Sequence, residues 1–330
     1  MSSLVELPFP KKRANGAEFT KAFDEYKAVV GPFLEYATFK RAFPLIFTVY
    51  ASLATAQELK ERTQEIRRRI NLYLSKDTLD VGLYPKSKYL KSDENLNEIS
   101  CLHWNCCGIV GQIVHTKDTS LLDLIVALEP DIILLNEIKA KDDDIKAVVM
   151  GLHGYSYLST PSHAPKGRSM RGSAIIYRHA YKFKVIWAGQ ETWSENAEGG
   201  EAPEIEAIAV DIQTSAGKRF RIITSYVRGA DQHFEEAEKI FKKLASNSSP
   251  TIITGDLNMR KEKFVKKWAE SGFVDSLNPA WYTNKTKNTL TSIDYVMHNG
   301  KPSPLVCHRP IQPDNNSVHF PIPFSVRFPL

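Results

Sequence analysis

Cysteine is scarce in this sequence, and the positions of the cysteines argue against a disulfide-bonded extracellular fold. Four cysteines occur among 330 residues, at positions 101, 106, 107 and 307. Two of them are adjacent and none forms a C-x-x-C pair, so a disulfide framework is not expected. This pattern indicates a reducing compartment. We therefore expect an intracellular protein of the nucleus or cytoplasm that is not secreted.

Long apolar runs are also lacking. The longest uncharged run, AFPLIFTVYASLATAQ at 42–57, contains a proline and is shorter than the ~18 to 20 residues that a membrane-spanning helix needs. The first residues, MSSLVELPFPKKR, contain no apolar core of signal-peptide length. Neither a membrane partner nor a secretory signal is expected.

The sequence also lacks a strong excess of either positive or negative charge. The chain has 43 Lys and Arg against 38 Asp and Glu, a formal net charge of +5 and a pI near 8.8. This mild basicity favours polyanionic partners, but it is weaker than that of a protein dedicated to coating nucleic acid.

The pattern of apolar residues divides the chain into regions. Residues 1–76 have apolar side chains at helical spacing and almost no strand pattern, which predicts a small all-α region. Residues 77–97 are polar and interrupted by Gly and Pro, which predicts a linker. Residues 98–330 contain short strand-like runs with helical stretches between some of them. They predict an α+β domain in which two sheets pack face to face with helices outside.

Polar side chains stand at the ends of several of these predicted strands. One alone is typical of a turn or a helix cap, but together they form a donor set for a hard divalent cation beside a phosphate. Carboxylate oxygens suit Mg²⁺ or Mn²⁺, which polarise a phosphoryl oxygen. The residues concerned are Asn105, Glu137, Tyr226, Asp256, Asn258, Asp294 and His319.

The segment GDLN at 255–258 illustrates the pattern. In an extended chain, side chains two positions apart face the same side, so Asp256 and Asn258 are expected to point into one cleft. Leu257 is then expected to pack behind them, and Gly255 to leave room for the backbone.

These segments resemble, in order, the motifs of the endonuclease/exonuclease/phosphatase superfamily. WNCCGI, DIILLNEIK, GSAIIYR, TSYV, ITGDLN, SIDYV and SVHFPI each resemble one family motif. The resemblance covers about residues 98–330, and it is greatest to the exonuclease III type of abasic-site endonuclease and to the endonucleases of non-LTR retrotransposons. It implies a four-layer α/β sandwich, two mixed sheets flanked by helices, with the site at one end.

The resemblance also implies a role for each residue of the site. Glu137 would bind the metal, Mg²⁺ or Mn²⁺, with Asn105 and Asp256 beside it. Asp256 and Asn258 would orient the attacking water or the scissile phosphate. The remaining implied roles are contact with the phosphate by Tyr226, stabilisation or protonation of phosphoryl oxygens by His319, and support of His319 by Asp294.

The implied reaction is in-line attack of a metal-organised water on a phosphodiester, which leaves a 3′-hydroxyl and a 5′-phosphate. Either Asp256 or His319 would serve as general base. The sequence leaves that choice open.

Two positions depart from the family pattern. Val318 stands where the family's S-D-H motif has an aspartate, and Cys107 where many members have an acidic or polar residue. Three interpretations of Val318 remain: a divergent but active enzyme, an impaired relative that binds nucleic acid or is structural, and an engineered change. We favour the first, because Glu137, Asp256 and His319 are all present.

Basic residues near the expected cleft favour a nucleic acid as the substrate, and DNA in preference to RNA. A small phosphorylated substrate is the second alternative function. A solvated loop is the plainer interpretation of the same residues. The helices expected in 1–76 have no counterpart in the superfamily and are candidates for binding a protein partner or for self-association. The basic residues are Lys139, Lys166, Arg168, Arg171 and Arg228.

Overall fold

The structure, a computed structural model, describes the C-terminal two thirds of the chain with interruptions. The expected helical region 1–76 and linker 77–97 lie outside the described residues, as do Lys166 and Arg168. The described residues are 98–109, 121–128, 130–142, 145–146, 149, 155–160, 171–178, 183–195, 203–229, 232–245, 249–285, 289–299, 305–311 and 318–327.

Strands make up most of the regular structure in these residues. The strands are β1 (Glu98–Asn105), β2 (Ile132–Asn136), β3 (Tyr155–Ser159), β4 (Ser173–Arg178), β5 (Phe183–Trp193), β6 (Ile205–Thr214), β7 (Arg219–Val227), β8 (Thr251–Asp256), β9 (Val274–Asp275), β10 (Asn284–Lys285), β11 (Leu290–Thr291), β12 (Asp294–His298), β13 (Leu305–Cys307) and β14 (Ile322–Arg327). The helices are α1 (Leu121–Leu128), α2 (Phe234–Leu244) and α3 (Lys261–Glu270).

Two six-stranded mixed sheets contain nearly all of these strands. The first has the order β13-β14-β1-β2-β4-β3, and the second has the order β5-β6-β7-β8-β12-β9. Strands β10 and β11 form a separate two-stranded hairpin. Each large sheet has one parallel pair at its centre, β1 with β2 and β7 with β8, and its other pairs are antiparallel. A parallel pair needs a crossover connection, and α1 and α2 lie in the two crossovers.

Alternation along the strands gives each sheet two apolar faces. In β1, Ile99 and Cys101 pack between the sheets, whereas Leu102 and Trp104 pack on the outer side with α1. The outer side of the second sheet packs against α2 and α3, where Phe241 and Trp268 are stacked with ring centroids 5.2 Å apart. The molecule thus has three apolar layers, one between the sheets and one under the helices on each side.

This architecture confirms the expected sandwich of two mixed sheets with flanking helices. Both inner faces change from apolar to polar side chains at the same end of the sandwich, which makes that end the candidate site. None of the helices in the described part of the chain is long and apolar enough to span a bilayer.

Candidate active site

The strand register brings the polar strand ends together between the sheets. Asn105 is opposite Asn136 in the parallel pair of the first sheet. In the second sheet, Asp256 is opposite Tyr226 on one side and Asp294 on the other. Strand alternation places all five side chains on inner faces, four of them near the carboxyl ends of β1, β2, β7 and β8 and Asp294 at the start of β12. They line one cleft, and all five are buried there.

The side-chain amide of Asn105 lies at the centre of this cleft. Its Nδ2 donates to Oδ2 of Asp256 at 2.8 Å and to Oε1 of Glu137 at 3.3 Å. The same nitrogen lies 3.4 Å from Nε2 of His319. Its Oδ1 accepts a hydrogen bond from the backbone N–H of Cys107 at 3.1 Å. Asn105 therefore connects the two carboxylates and the histidine that the sequence placed in the site.

His319 and Asp294 form a buried pair beside this network. Nδ1 of His319 lies 3.0 Å from Oδ2 and 3.1 Å from Oδ1 of Asp294. Thr283 fixes the backbone of this pair: its hydroxyl accepts the N–H of Asp294, and its carbonyl accepts the N–H of Phe320. The indole of the fully buried Trp104 donates to the carbonyl of His319 at 3.0 Å. The pair is thus held by the first sheet through Trp104 and by the segment before β10 through Thr283.

Burial and neighbouring charges shift the pKa values of these groups. Burial alone lowers the pKa of His319, but the charges of Asp294 and Asp256 outweigh it and raise that pKa to about 10. Burial opposes ionisation of Asp294, but the charge of His319 outweighs it and lowers the pKa of Asp294. Burial raises the pKa of Asp256 despite the nearby His319 charge. At neutral pH the His319–Asp294 pair is therefore an ion pair.

Glu137 lies at the cleft entrance on a left-handed turn after β2. The φ angles of Glu137 and Lys139 are 49° and 46°, conformations that non-glycine residues rarely adopt without a reason. Backbone bonds from Ile138 and Lys139 to Gly172 and Arg171 hold the turn. Nζ of Lys139 lies 2.6 Å from Oε2 of Glu137, so the carboxylate carries a cationic partner.

The residues of the cleft fit a hard divalent cation. The Glu137 carboxylate is partly exposed and its charge is balanced by the Lys139 ammonium. Ligand atoms of the buried Asp256, Asp294 and His319 all lie within 4.8 Å of one another. The carboxylates of Asp256 and Glu137 supply the oxygen donors that suit Mg²⁺ or Mn²⁺, whereas the cationic His319 has no lone pair for a metal. Asn105 joins Glu137 to Asp256, so the expected ligands Glu137, Asp256 and Asn105 are adjacent.

The end of β8 differs in one respect from the expectation for GDLN. Leu257 is fully buried and packs behind the site, as expected. Strand β8, however, ends at Asp256, and the exposed Asn258 has a left-handed φ of 50°. The N–H of Asn258 donates to Oδ1 of Asp256, and its Nδ2 donates to the carbonyl of Val227. A turn rather than strand alternation therefore presents Asn258.

The other predicted residues surround the cleft at different depths. Tyr226 is buried with the Arg171 guanidinium 5.8 Å from its ring centroid, and burial together with the Glu137 and Asp256 charges raises its pKa. Arg228 follows β7 and is exposed. Val318 is also exposed, and its carbonyl accepts the N–H of Lys285 at 2.6 Å. Its side chain is therefore not one of the buried members of the site.

Three buried polar residues of this region were not identified from the sequence. Asn136 bridges the sheets: its Oδ1 accepts the N–H of Asp256, and its Nδ2 donates to Ser173 and Thr224. Glu206 and His103 also lie on inner faces, fully buried. The sequence feature that could have identified them is a polar residue within a predicted buried strand, as in the segments LLN, IEA and LHW.

Comparison with known proteins agrees with this geometry. Residues 102–319 match the model of the Endonuclease/Exonuclease/phosphatase family. None of the curated proteins compared with the chain matches it in sequence.

Solved structures with the same fold share little sequence with the chain. The catalytic domain of human Nocturnin, with a bound sulfate anion, is 18% identical with a TM-score of 0.53, and the match covers 72% of this chain and 96% of that chain. ANGEL2, a 2′,3′-cyclic phosphatase, is 12% identical with a TM-score of 0.53 and coverages of 71% and 96%. A family protein from Leptotrichia buccalis is 14% identical with a TM-score of 0.54 and coverages of 70% and 100%.

These likenesses concern the fold, whereas the family match spans most of the described domain, from β1 to His319. Members of the family are generally hydrolases that act on phosphodiester bonds. The order of the motifs, the sandwich and the convergent cleft all agree with the match, and the chain belongs to the endonuclease/exonuclease/phosphatase family.

Proposed function

We propose that this protein is a divalent-metal-dependent phosphodiesterase that cleaves nucleic acid, in the manner of abasic-site or retrotransposon endonucleases. The proposal depends mainly on one observation, the direct linkage of Asp256 to Asn105 at 2.8 Å beside the ionised His319–Asp294 pair. A carboxylate, a carboxamide and an imidazolium in one buried cleft suit a reaction in which negative charge develops on phosphoryl oxygens.

The protein groups have distinct tasks in this reaction. Asn105 and the N–H of Asn258 hold the Asp256 carboxylate, which takes the proton of the attacking water. The water oxygen bonds to phosphorus, the P–O3′ bond breaks, and the 3′-oxygen takes a proton from solvent. His319, kept cationic by Asp294, donates a hydrogen bond from Nε2 to a phosphoryl oxygen.

The metal completes the electrostatics of the site. When bound, Mg²⁺ or Mn²⁺ supplies Lewis-acid stabilisation of charge on the phosphoryl oxygens. Glu137 and Asp256 are the residues that would hold it, and Asn105, whose Nδ2 donates to both carboxylates, would orient them. Tyr226, whose raised pKa keeps its hydroxyl protonated, would donate a hydrogen bond to the phosphate.

Basic residues beside the cleft support a polynucleotide substrate, and we favour DNA over RNA. Arg228 is exposed two residues after Tyr226, and the partly exposed Lys139 pairs with Glu137. Arg171 is buried against Tyr226 rather than in a solvated loop, so it would contact only a phosphate that enters the cleft. Groups of this kind neutralise backbone phosphates without reading sequence. Binding is therefore expected to weaken steeply as salt rises.

A plasmid-nicking assay with Mg²⁺ or Mn²⁺ tests the proposal. Wild type is compared with Glu137→Ala and His319→Ala, and with Val318→Asp, which restores the acid of the family motif. We expect nicking by wild type that both alanine variants abolish. Glu270→Gln, an exposed carboxylate at the end of α3, is the matched control and should retain full activity.

Each alternative predicts a different pattern in this assay. If the protein is an impaired relative that only binds nucleic acid, the wild type would leave the plasmid intact and the Val318→Asp variant would nick it. A hydrolase of small phosphorylated substrates would ignore the plasmid and cleave its own substrate with the same dependence on Glu137 and His319. Either pattern would overturn the proposed nuclease.

A further inference from the structure

His103 is a buried histidine that the reaction described above does not use. It lies on the inner face of β1, two residues before Asn105, and therefore points into the same space between the sheets. Its neighbours in register are the apolar Leu134 of β2 and Ile322 of β14. The side chain has no exposure to solvent.

Within the part of the chain that the structure describes, neither ring nitrogen of His103 has a hydrogen-bond partner. Burying an unsatisfied polar group costs about 1 to 3 kcal/mol, so such groups are rare in native cores. An apolar side chain would fill the position at lower cost. The retention of an imidazole there calls for a specific reason.

The charged group that approaches His103 is the carboxylate of Asp294. Nε2 of His103 lies 3.8 Å from Oδ1 of Asp294, while Oδ2 of the same carboxylate lies 3.0 Å from Nδ1 of His319. Asp294 is thus placed between two imidazoles at the same end of the first sheet, one in β1 and one just before β14. A separation of 3.8 Å exceeds a hydrogen bond, but catalytic hydrogen bonds are often long before substrate binds and shorten in the complex.

We propose that His103 is a positioning residue for the phosphodiesterase reaction, whose Nε2–H group holds Oδ1 of Asp294 so that the carboxylate keeps its orientation toward His319. The inference extends the proposed function and depends on it for the reaction. His103 does not touch the substrate; it acts through Asp294. Partners of this indirect kind typically change activity 10- to 100-fold when removed.

Two substitutions separate positioning from simple core packing. His103→Gln keeps an N–H donor at a reach close to that of Nε2, whereas His103→Leu keeps the bulk and removes the donor. In plasmid nicking we expect His103→Leu to lower kcat about tenfold with KM within twofold, and His103→Gln to stay within about threefold of wild type. The midpoint of chemical denaturation should not fall for His103→Leu, since an orphaned polar group is replaced by an apolar one.

If His103 only packs in the core, the donor-free variant His103→Leu should be at least as active as His103→Gln. His103→Leu would then retain kcat, or would lose activity only together with a lower denaturation midpoint, and His103→Gln would not rescue it. Either result would overturn the inference.

A second measurement does not need activity. The downfield proton resonance of the His319 Nδ1–H group, identified by its loss in His319→Ala, reports the bond to Asp294 at fixed pH. We expect it in wild type and His103→Gln, and expect it to be lost or shifted in His103→Leu. An unchanged resonance in His103→Leu would refute the positioning role of His103, even if the wild type does not nick plasmid. If the wild type is inactive but the resonance changes as expected, only the proposed nuclease activity is refuted.

Discussion

Nζ of Lys139 lies 2.6 Å from Oε2 of Glu137 and 3.1 Å from Sγ of Cys107. Burial alone would lower the pKa of Lys139, but its hydrogen bonds to Glu137 and Cys107 outweigh that effect and raise it, so the ammonium stays charged. Lys139, which is predicted to contact nucleic acid, therefore forms an ion pair with Glu137, which is predicted to bind the metal. The two roles are linked, because a cation entering at Glu137 competes with the lysine.

Removing this lysine should strengthen metal binding. For Lys139→Met we expect the half-saturating Mn²⁺ concentration, measured by calorimetric titration, to fall about two- to fivefold, the ratio that ~0.5 to 1 kcal/mol of ion-pair energy gives. Lys141→Met, at an exposed neighbouring lysine, is the matched control and should leave it unchanged. Weaker metal binding in Lys139→Met would show that the lysine supports the site rather than competing for it.

His319 and Asp294 should act as one unit in catalysis. We expect His319→Ala and Asp294→Asn each to lower kcat/KM by ~10²-fold or more, since positioned acid–base groups contribute 10²- to 10⁴-fold. Because Asp294 acts through His319, the double variant should be no worse than His319→Ala alone. Single-turnover nicking measures all three. Multiplicative losses in the double variant would mean that the two residues act independently.

Glu206 should make the stability of the protein depend on pH. Burial raises its pKa to about 7 from an ordinary value of 4.5, with the Glu137 charge adding to the effect, and Oε2 accepts the N–H of Gly172 at 3.0 Å. The folded state holds the proton more tightly than the unfolded state, so stability falls as pH rises from about 4.5 to about 7 and stays low above that.

The variant Glu206→Gln cannot ionise and escapes this loss. Relative to wild type, its free energy of unfolding should be about 2 to 3 kcal/mol higher at pH 8.5 and nearly equal at pH 4, measured by urea denaturation. The exposed Glu235→Gln on α2 is the control, expected to show the same small difference at both pH values. A pH-independent effect of Glu206→Gln would show that its carboxylate is not the titrating group.

Gly255 should not tolerate a side chain. A Cβ at this position would overlap the backbone carbonyl of Ser225 on the neighbouring strand β7, which cannot move without breaking the parallel pair. We expect Gly255→Ala to lower the free energy of unfolding by about 1 to 3 kcal/mol. At Gly189 the atoms nearest to the added Cβ all belong to the side chain of Trp187, which can move, so Gly189→Ala should cost less in the same urea titration. Equal costs would indicate that β7 moves freely.

The order of the motifs was sufficient to predict the family and the two-sheet sandwich. ITGDLN also predicted that a buried strand delivers Asp256 to the cleft with Leu257 packed behind it, because alternation and β-branched residues are local properties. The presentation of Asn258 could not be predicted in this way, since its left-handed φ depends on hydrogen bonds to Asp256 and Val227. The position of the Lys139 ammonium on Glu137 likewise depends on side-chain torsions that the sequence does not specify.

The amino-acid sequence by itself determined which side chains share a face of a strand, because side chains two positions apart point to the same side. It also determined that polar groups stand where the apolar runs end. Only the tertiary structure decided which of these ends meet: Asn105 and Asp256 are 151 positions apart and belong to different sheets. Their contact, and the approach of His103 to Asp294, follow from how the sheets pack, and that depends on the whole core rather than on any local run of residues.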